Sequence, residues 1–291
     1  MLCACIDIGT NTTRVLVAEA AGGQVTEVLQ QRAFTRIGKG LKPGAEIPRA
    51  KIEEVARVVA EQAALAQRLG ATQLRVVATA VIRQAANREQ FVATIENAGG
   101  LAVEVLDGDE EARLAFLGAT RTLGHDLPGT IGVVDVGGGS TEIAVGTLEG
   151  GVEWSASVHI GSGFLAEHYL RSDPPSIGEL QAVSRHAAGA IDGIDVPPAD
   201  CAVAVGGSAA SVRRLVGAVL EPDTLQRALR VLSGDPAEEV ARRFALDPER
   251  VRLIPAGILV LDAASQRLGR PLQIGRGGLR EGVVLDMART L

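Results

Sequence analysis

The stretch Val133-Val134-Asp135-Val136-Gly137-Gly138-Gly139-Ser140-Thr141-Glu142-Ile143-Ala144-Val145 decides the fold. An apolar run stops at an acid, three glycines and two hydroxyls follow, and a second acid opens a new apolar run. That order reads as strand, tight turn, strand. Consecutive glycines let backbone N–H groups approach a ligand with no side chain in the way, and a nest of such donors suits phosphate oxygens. Asp135 and Glu142 flank the turn. A carboxylate beside a phosphate usually shares a divalent cation with it, and Mg²⁺ prefers a few carboxylates plus water and phosphate oxygen.

The same signature opens the chain. Asp7-Ile8-Gly9-Thr10-Asn11-Thr12-Thr13-Arg14-Val15-Leu16-Val17 aligns without a gap onto Asp135 through Val145. Asp7/Asp135, Gly9/Gly137, Thr13/Thr141 and Val17/Val145 are identities, and the offset, 135 − 7 = 128, is close to half of the 291 residues. A single Gly-rich turn is commonplace; two in register at half-chain spacing indicate a duplicated α/β domain, each half opening with a phosphate-binding hairpin. The expected domains are 1–125 and 126–291, with a terminal helix over about 279–291 placed to pack back on the first.

Composition narrows the function classes. At 46% hydrophobic and 22% charged the chain builds full cores, but with aromatics at 2% those cores are aliphatic and stacking platforms for single-stranded nucleic acid are not expected. A net charge of −6 argues against general nucleic-acid binding. No apolar run approaches the roughly 20 residues that span a bilayer, and no basic segment precedes the first strand, so a cytoplasmic protein without a membrane partner is expected. Cys3, Cys5 and Cys201 sit in apolar runs and read as small buried hydrophobes. The four histidines show no metal-ligand spacing.

Along the chain, strands are expected at 3–8, 13–20 and 25–36, then a basic loop, Arg36-Ile37-Gly38-Lys39-Gly40-Leu41-Lys42. With Arg32 it makes a local positive patch that is either a solvated loop or a receiver of a polyanion. A helix from Pro48 to Gly70 follows, then a strand ending near Thr79, with Arg83 just beyond it. Arg83 could clamp a phosphate bidentately or pair with a helix carboxylate. Glu110 and Glu111 open another helix, where the macrodipole favours acids anyway; a carboxylate facing an inter-domain cleft there would act as general base toward water. In the second half, strands are expected at 131–136, 142–147 and 152–159, and Ser176-Ile177-Gly178-Glu179 reads as a capping box. Gly206-Gly207-Ser208-Ala209-Ala210-Ser211 is a weaker third phosphate-type turn, and Pro255–Leu268 a further helix.

Five segments together resemble the exopolyphosphatase/guanosine pentaphosphate phosphohydrolase family of the actin–hexokinase–Hsp70 superfamily: Asp7–Thr12, Ala78–Arg83 with Asn87–Phe91, Glu110–Arg113, Asp135–Glu142 and Leu279-Arg280-Glu281-Gly282. The resemblance spans essentially the whole chain and implies a duplicated actin-like α/β fold around a cleft. It implies hydrolysis of a terminal phosphoanhydride of inorganic polyphosphate, or of the nucleotide pppGpp, with release of orthophosphate. On the matching positions Glu111 would be the catalytic base and Arg83 the clamp on the terminal phosphoryl group. Asp135 and Glu142, with Asp7, would hold Mg²⁺ or Mn²⁺. The N–H groups of Gly9, Thr10, Asn11 and Thr12 and of Gly137, Gly138, Gly139 and Ser140 would cradle phosphates. A homodimer is the expected assembly. Asp107-Gly108-Asp109 stands where relatives usually have Ser-Gly, Gly206–Ala210 lacks the usual Gly-Thr, and Arg276 replaces a common Asp.

Other readings are a pppGpp phosphohydrolase, a non-catalytic sensor of (p)ppGpp or polyphosphate, and a kinase or ATPase of the same superfamily. Retained acids at Glu111, Asp135 and Glu142 speak against a pure anion sensor. The degenerate Gly206 turn and the lack of a sugar-binding insertion speak against a kinase.

Overall fold

The computed structural model describes residues 1–289. In chain order it runs β1 (Leu2–Ile8), β2 (Thr13–Ala21), β3 (Gln24–Ala33), α1 (Arg49–Arg68), β4 (Gln73–Ala78), α2 (Ala80–Gln84), α3 (Arg88–Gly99), β5 (Val103–Val105) and α4 (Gly108–Thr122). It continues through β6 (Ile131–Val136), β7 (Thr141–Thr147), β8 (Gly151–Val158), α5 (Ser162–Tyr169), α6 (Ile177–Asp192), β9 (Cys201–Val205), α7 (Gly206–Val216) and β10 (Val219–Leu220). The remaining elements are α8 (Pro222–Gly234), α9 (Ala237–Phe244), α10 (Pro248–Leu268), β11 (Leu272–Ile274) and α11 (Leu279–Arg289). They form two compact units: Met1–Thr122 with the segment from Gly277 on, and Leu123–Arg276. The last two residues of the expected terminal helix lie outside the described residues.

The first unit is a five-stranded sheet ordered β3-β2-β1-β4-β5. Period-two alternation sorts its residues. Ala4, Ile6 and Ile8 of β1 join a core with Ile52, Val55 and Val59 of α1 and Phe91 and Ile95 of α3. Cys3 and Cys5 point the other way, into a core with Leu114 of α4 and Val283 and Val284 of α11. Burial raises the thiol pKa of both cysteines. The same parity puts Asp7 on the α4/α11 face.

Close backbone approach joins those two helices. A Cβ on Gly282 would lie 1.9 Å from the Leu114 carbonyl oxygen, and one on Gly118 would lie 1.9 Å from that of Gly278. Ion pairs flank the crossing: Asp286 accepts from Arg75 and from Arg113, each at 2.9 Å. Arg75 also forks onto Glu104, at 2.7 and 2.9 Å.

The second unit is a six-stranded sheet ordered β10-β11-β9-β6-β7-β8. Its hairpin repeats the register of the first: Asp7 faces Arg14 and Ile8 faces Thr13 in β1/β2, while Asp135 faces Glu142 and Val136 faces Thr141 in β6/β7. Helix α10 supplies much of the core, with Ile254, Ile258, Val260 and Leu261 buried against Val183, Ala187 and Ile191 of α6. Sequence reading started this helix at Pro255. The structure starts it at Pro248, where the Asp247 carboxylate accepts from the Glu249 and Arg250 amides at 2.9 and 3.4 Å. Pro255 lies inside, where it withholds a single backbone donor. The glycine pair expected as a turn at Gly206 is instead the first turn of α7. Among the described residues no helix is long and apolar enough to cross a membrane.

The capping box at Ser176 forms as expected. Glu179 accepts from the hydroxyl and amide of Ser172, the amide and hydroxyl of Ser176, and the Arg171 amide. These donors, the Ser172 hydroxyl foremost, pull its carboxyl from an ordinary 4.5 to about 2. Because the folded pKa is depressed, its stabilisation is complete above about pH 4.5 and is lost as pH falls through about 2. Glu179→Gln should therefore lower the unfolding midpoint at neutral pH, with the gap to wild type narrowing as acid is added below pH 4.5; a pH-independent gap in thermal melts would refute the assignment. Gly282→Ala should destabilise the first unit by roughly 1–3 kcal/mol through overpacking, read by urea unfolding.

Candidate functional site

Each unit places its Gly-turn at the end of a hairpin, and each turn closes on itself. The Gly9 amide donates to the Thr12 carbonyl and the Gly137 amide to that of Ser140, both at 3.0 Å. This narrows the expected cradles, because those two N–H groups are spent inside the turn. The turn carbonyls are also occupied. In the first unit the Arg36 amide donates to Asn11 and the Gly38 amide to Thr10, both at 2.9 Å. In the second, Ser162 donates to the Gly137 carbonyl at 2.9 Å, and the Gly163 and Phe164 amides donate to that of Gly138 at 3.0 Å. Among the described residues, the N–H groups of Thr10, Asn11 and Thr12 and of Gly138, Gly139 and Ser140 donate to no backbone or side-chain acceptor. Three consecutive open donors of this kind suit an anion.

Duplicate threonines brace both turns. Thr13 Oγ1 lies 3.1 Å from Thr35 Oγ1, and Thr141 Oγ1 donates to the Ile160 carbonyl at 2.6 Å. The first brace is a loop and the second the entry to α5, a difference that the aligned hairpins did not signal. Asn11 adds a buried side-chain Nδ2 with no hydrogen-bond partner among the described residues, suited to an acceptor oxygen.

In the first unit, Arg83 and Glu111 come together. Arg83 Nη1 donates to Glu111 Oε2 at 2.8 Å and to the Leu106 carbonyl at 2.7 Å, and both side chains are largely buried. The pairing with a helix carboxylate left open in the sequence is what forms, and it fixes the direction in which the Glu111 carboxylate lies. Glu110 separates from its neighbour: it takes a bidentate bond from Arg113, at 2.7 and 2.8 Å, on the α11 side. Asp107 caps the helix, accepting from the Glu110 amide at 2.8 Å, a role in which Asp serves as well as Ser.

Asp7 faces arginines rather than a second acid. Arg14 is its cross-strand partner and Arg280 Nη1 approaches its Oδ2 at 3.8 Å. Burial raises the Asp7 pKa, and Arg280 and then Arg14 oppose that rise. Arg280, whose buried Nε has no partner among the described residues, received no role from sequence. The quoted Leu279–Gly282 segment marked its place, and the Gly282 crossing explains why α11 brings it to Asp7.

In the second unit the same register sets two carboxylates side by side. Asp135 and Glu142 oppose each other directly, and Glu142, 2% exposed, accepts from Ser157 Oγ at 2.8 Å. Gly206, at φ +84°, abuts Asp135: a Cβ there would lie 2.2 Å from Oδ1. Two hard oxygen donors in opposition, one of them buried, suit Mg²⁺ completed by water and phosphate oxygen. Among the described residues no three His, Cys, Asp or Glu side chains group as metal ligands, and Asp7, expected as a third ligand, lies in the other unit's hairpin opposite Arg14. Arg276 is exposed.

Gly161 has no room for a side chain, since its Cβ would sit 2.4 Å from the Gly138 carbonyl carbon. Gly161→Ala should therefore unseat α5 from the turn, costing roughly 1–3 kcal/mol and displacing the Gly138 and Gly139 amide resonances; unmoved resonances would show that α5 does not brace the turn.

Comparison with known proteins identifies the family. The family described as the Ppx/GppA phosphatase family matches residues 16–291. Exopolyphosphatase 2 of Mycobacterium tuberculosis is 29% identical over 315 residues, covering 98% of each chain. Exopolyphosphatase 1 of Mycobacterium leprae is 28% identical over 96% of this chain and 87% of its own. The crystal structure of the Aquifex aeolicus member of the Ppx/GppA family matches with a TM-score of 0.84 at 28% identity, covering 100% of this chain and 98% of that one. The duplicated actin-like α/β fold is therefore as expected, and the chain belongs to the Ppx/GppA phosphatase family.

Proposed function

We propose that the protein is an exopolyphosphatase that hydrolyses the terminal phosphoanhydride of inorganic polyphosphate in the presence of Mg²⁺ or Mn²⁺. One observation carries the reading: the Asp135–Glu142 pair stands at the foot of a turn whose three N–H donors are left open. Phosphoryl transfer asks mainly for positioning and neutralisation of charge, and this pairing of donors with acids suits a metal–phosphate substrate. The names of the mycobacterial relatives point to the same substrate.

Asp135 and Glu142 would hold the cation, which when bound neutralises charge on the phosphoryl oxygens. In the second unit the amides of Gly138 to Ser140, and in the first unit those of Thr10 to Thr12, would hold phosphate oxygens by hydrogen bonds. Glu111 is the base: it takes a proton from water as the water oxygen bonds to the terminal phosphorus, and the bridging P–O bond breaks with its electron pair staying on the shortened chain. Arg83 aims the Glu111 carboxylate through their 2.8 Å contact, so its part is positioning in addition to any hold on phosphate.

The test is orthophosphate release from polyphosphates of graded length, with pppGpp as comparator. Release should require Mg²⁺ or Mn²⁺ and stop with EDTA. Glu111→Gln should cut turnover by on the order of 100-fold or more while the protein remains folded. No release from any polyphosphate with either metal, or near-wild-type release by Glu111→Gln, would overturn the reading.

A further inference from the structure

We propose that Arg32, Phe34, Arg36 and Lys39 form a subsite for the outer phosphates of a long polyphosphate chain, beside the Gly9–Thr12 turn of the first unit. The proposal rests on the exopolyphosphatase reading and adds to it a place where chain length is sensed.

Three observations carry it. Arg32 ends the edge strand β3 directly opposite Arg14, whose Nε donates to Thr12 Oγ1 of the turn at 3.1 Å. Arg14 also faces Asp7, whose carboxylate offsets its charge, so the exposed Arg32 is the cation this edge presents beside the turn. Secondly, the Arg32 and Arg36 guanidinium carbons stand 4.5 and 5.6 Å from the centroid of one ring, that of Phe34. Cation–π attraction keeps the two cations on this shared platform in spite of their repulsion. Thirdly, the patch is fixed to the turn through backbone. Arg36 adopts φ 47°, uncommon for a residue with a side chain, while its amide holds the Asn11 carbonyl. Gly38 holds Thr10 so closely that a Cβ would lie 2.3 Å from Thr10 Cγ2.

Arg32 and Lys39 are exposed and make no ion pair among the described residues. Positive charge gathered this way in a chain of net charge −6 marks a local anion site. A base-stacking nucleic acid fits less well, because the Phe34 ring is already occupied by guanidiniums. A repeating phosphate chain needs only cations at intervals, and guanidinium and ammonium groups supply them.

The experiment compares wild type with Arg32→Gln/Lys39→Gln and with Arg32→Glu/Lys39→Glu. It measures phosphate release from long-chain polyphosphate and from tripolyphosphate, and calorimetric binding of the long chain at two salt concentrations. The Gln pair should raise the long-chain KM and Kd on the order of five-fold, as expected for losing two exposed charge contacts, and the Glu pair further. The ratio of long-chain to tripolyphosphate KM should rise, and the salt dependence of long-chain binding should flatten. An unchanged ratio in both folded variants, or equal displacement of the long chain by an RNA oligonucleotide, would overturn the subsite. A wild-type protein that binds long polyphosphate through these residues but releases no phosphate would sink the hydrolase reading and leave the subsite standing. Release with an unaltered length ratio would do the reverse.

Discussion

A backbone amide can serve an anion only when neighbouring carbonyl oxygens are kept out of the way, and this constraint shapes both halves of the molecule. Each hairpin turn spends its first N–H on closing the loop and gives its carbonyls to a neighbouring segment. What is left is a short row of open donors. The bracing segments are unrelated, a loop after β3 in one unit and the start of α5 in the other, yet both donate backbone amides to turn carbonyls. Small residues are required where the brace meets the turn: Gly38 against Thr10, and Gly161 against Gly138.

Within this shared frame the two units diverge at a single register position. The residue facing the strand-end acid is Arg14 in the first unit and Glu142 in the second. One unit therefore balances its acid internally, with Arg280 adding to Arg14, and the other presents paired carboxylates of the kind that divalent cations neutralise.

The sequence made the hairpins legible because glycine and period-two alternation act locally. The repeat at an offset of 128 could be counted, and the observed registers follow it residue for residue. The capping box at Ser176 was equally local. Contacts between distant segments were hidden. Nothing near Arg83 says that its partner is Glu111, 28 residues away, or that the adjacent Glu110 turns to Arg113 instead. Arg280 meets Asp7 only because Gly118 and Gly282 let two helix backbones approach. Pro255 misled in the opposite direction: proline usually marks a helix start, but here the Asp247 cap, seven residues before the buried stretch begins at Ile254, had already set the helix going.

The return of α11 to the first unit sets an order for biogenesis. The second unit is one unbroken stretch, whereas the core around Cys3, Cys5 and Leu114 also needs Leu279, Val283 and Val284. A ribosome emits those residues only after the whole of the second unit has left the tunnel. The later-encoded unit is thus the first to have all of its parts, reversing the usual N-terminal-first sequence of folding. The nascent first sheet waits with one apolar face covered only in part, by α4, leaving aliphatic surface open to a chaperone in that interval.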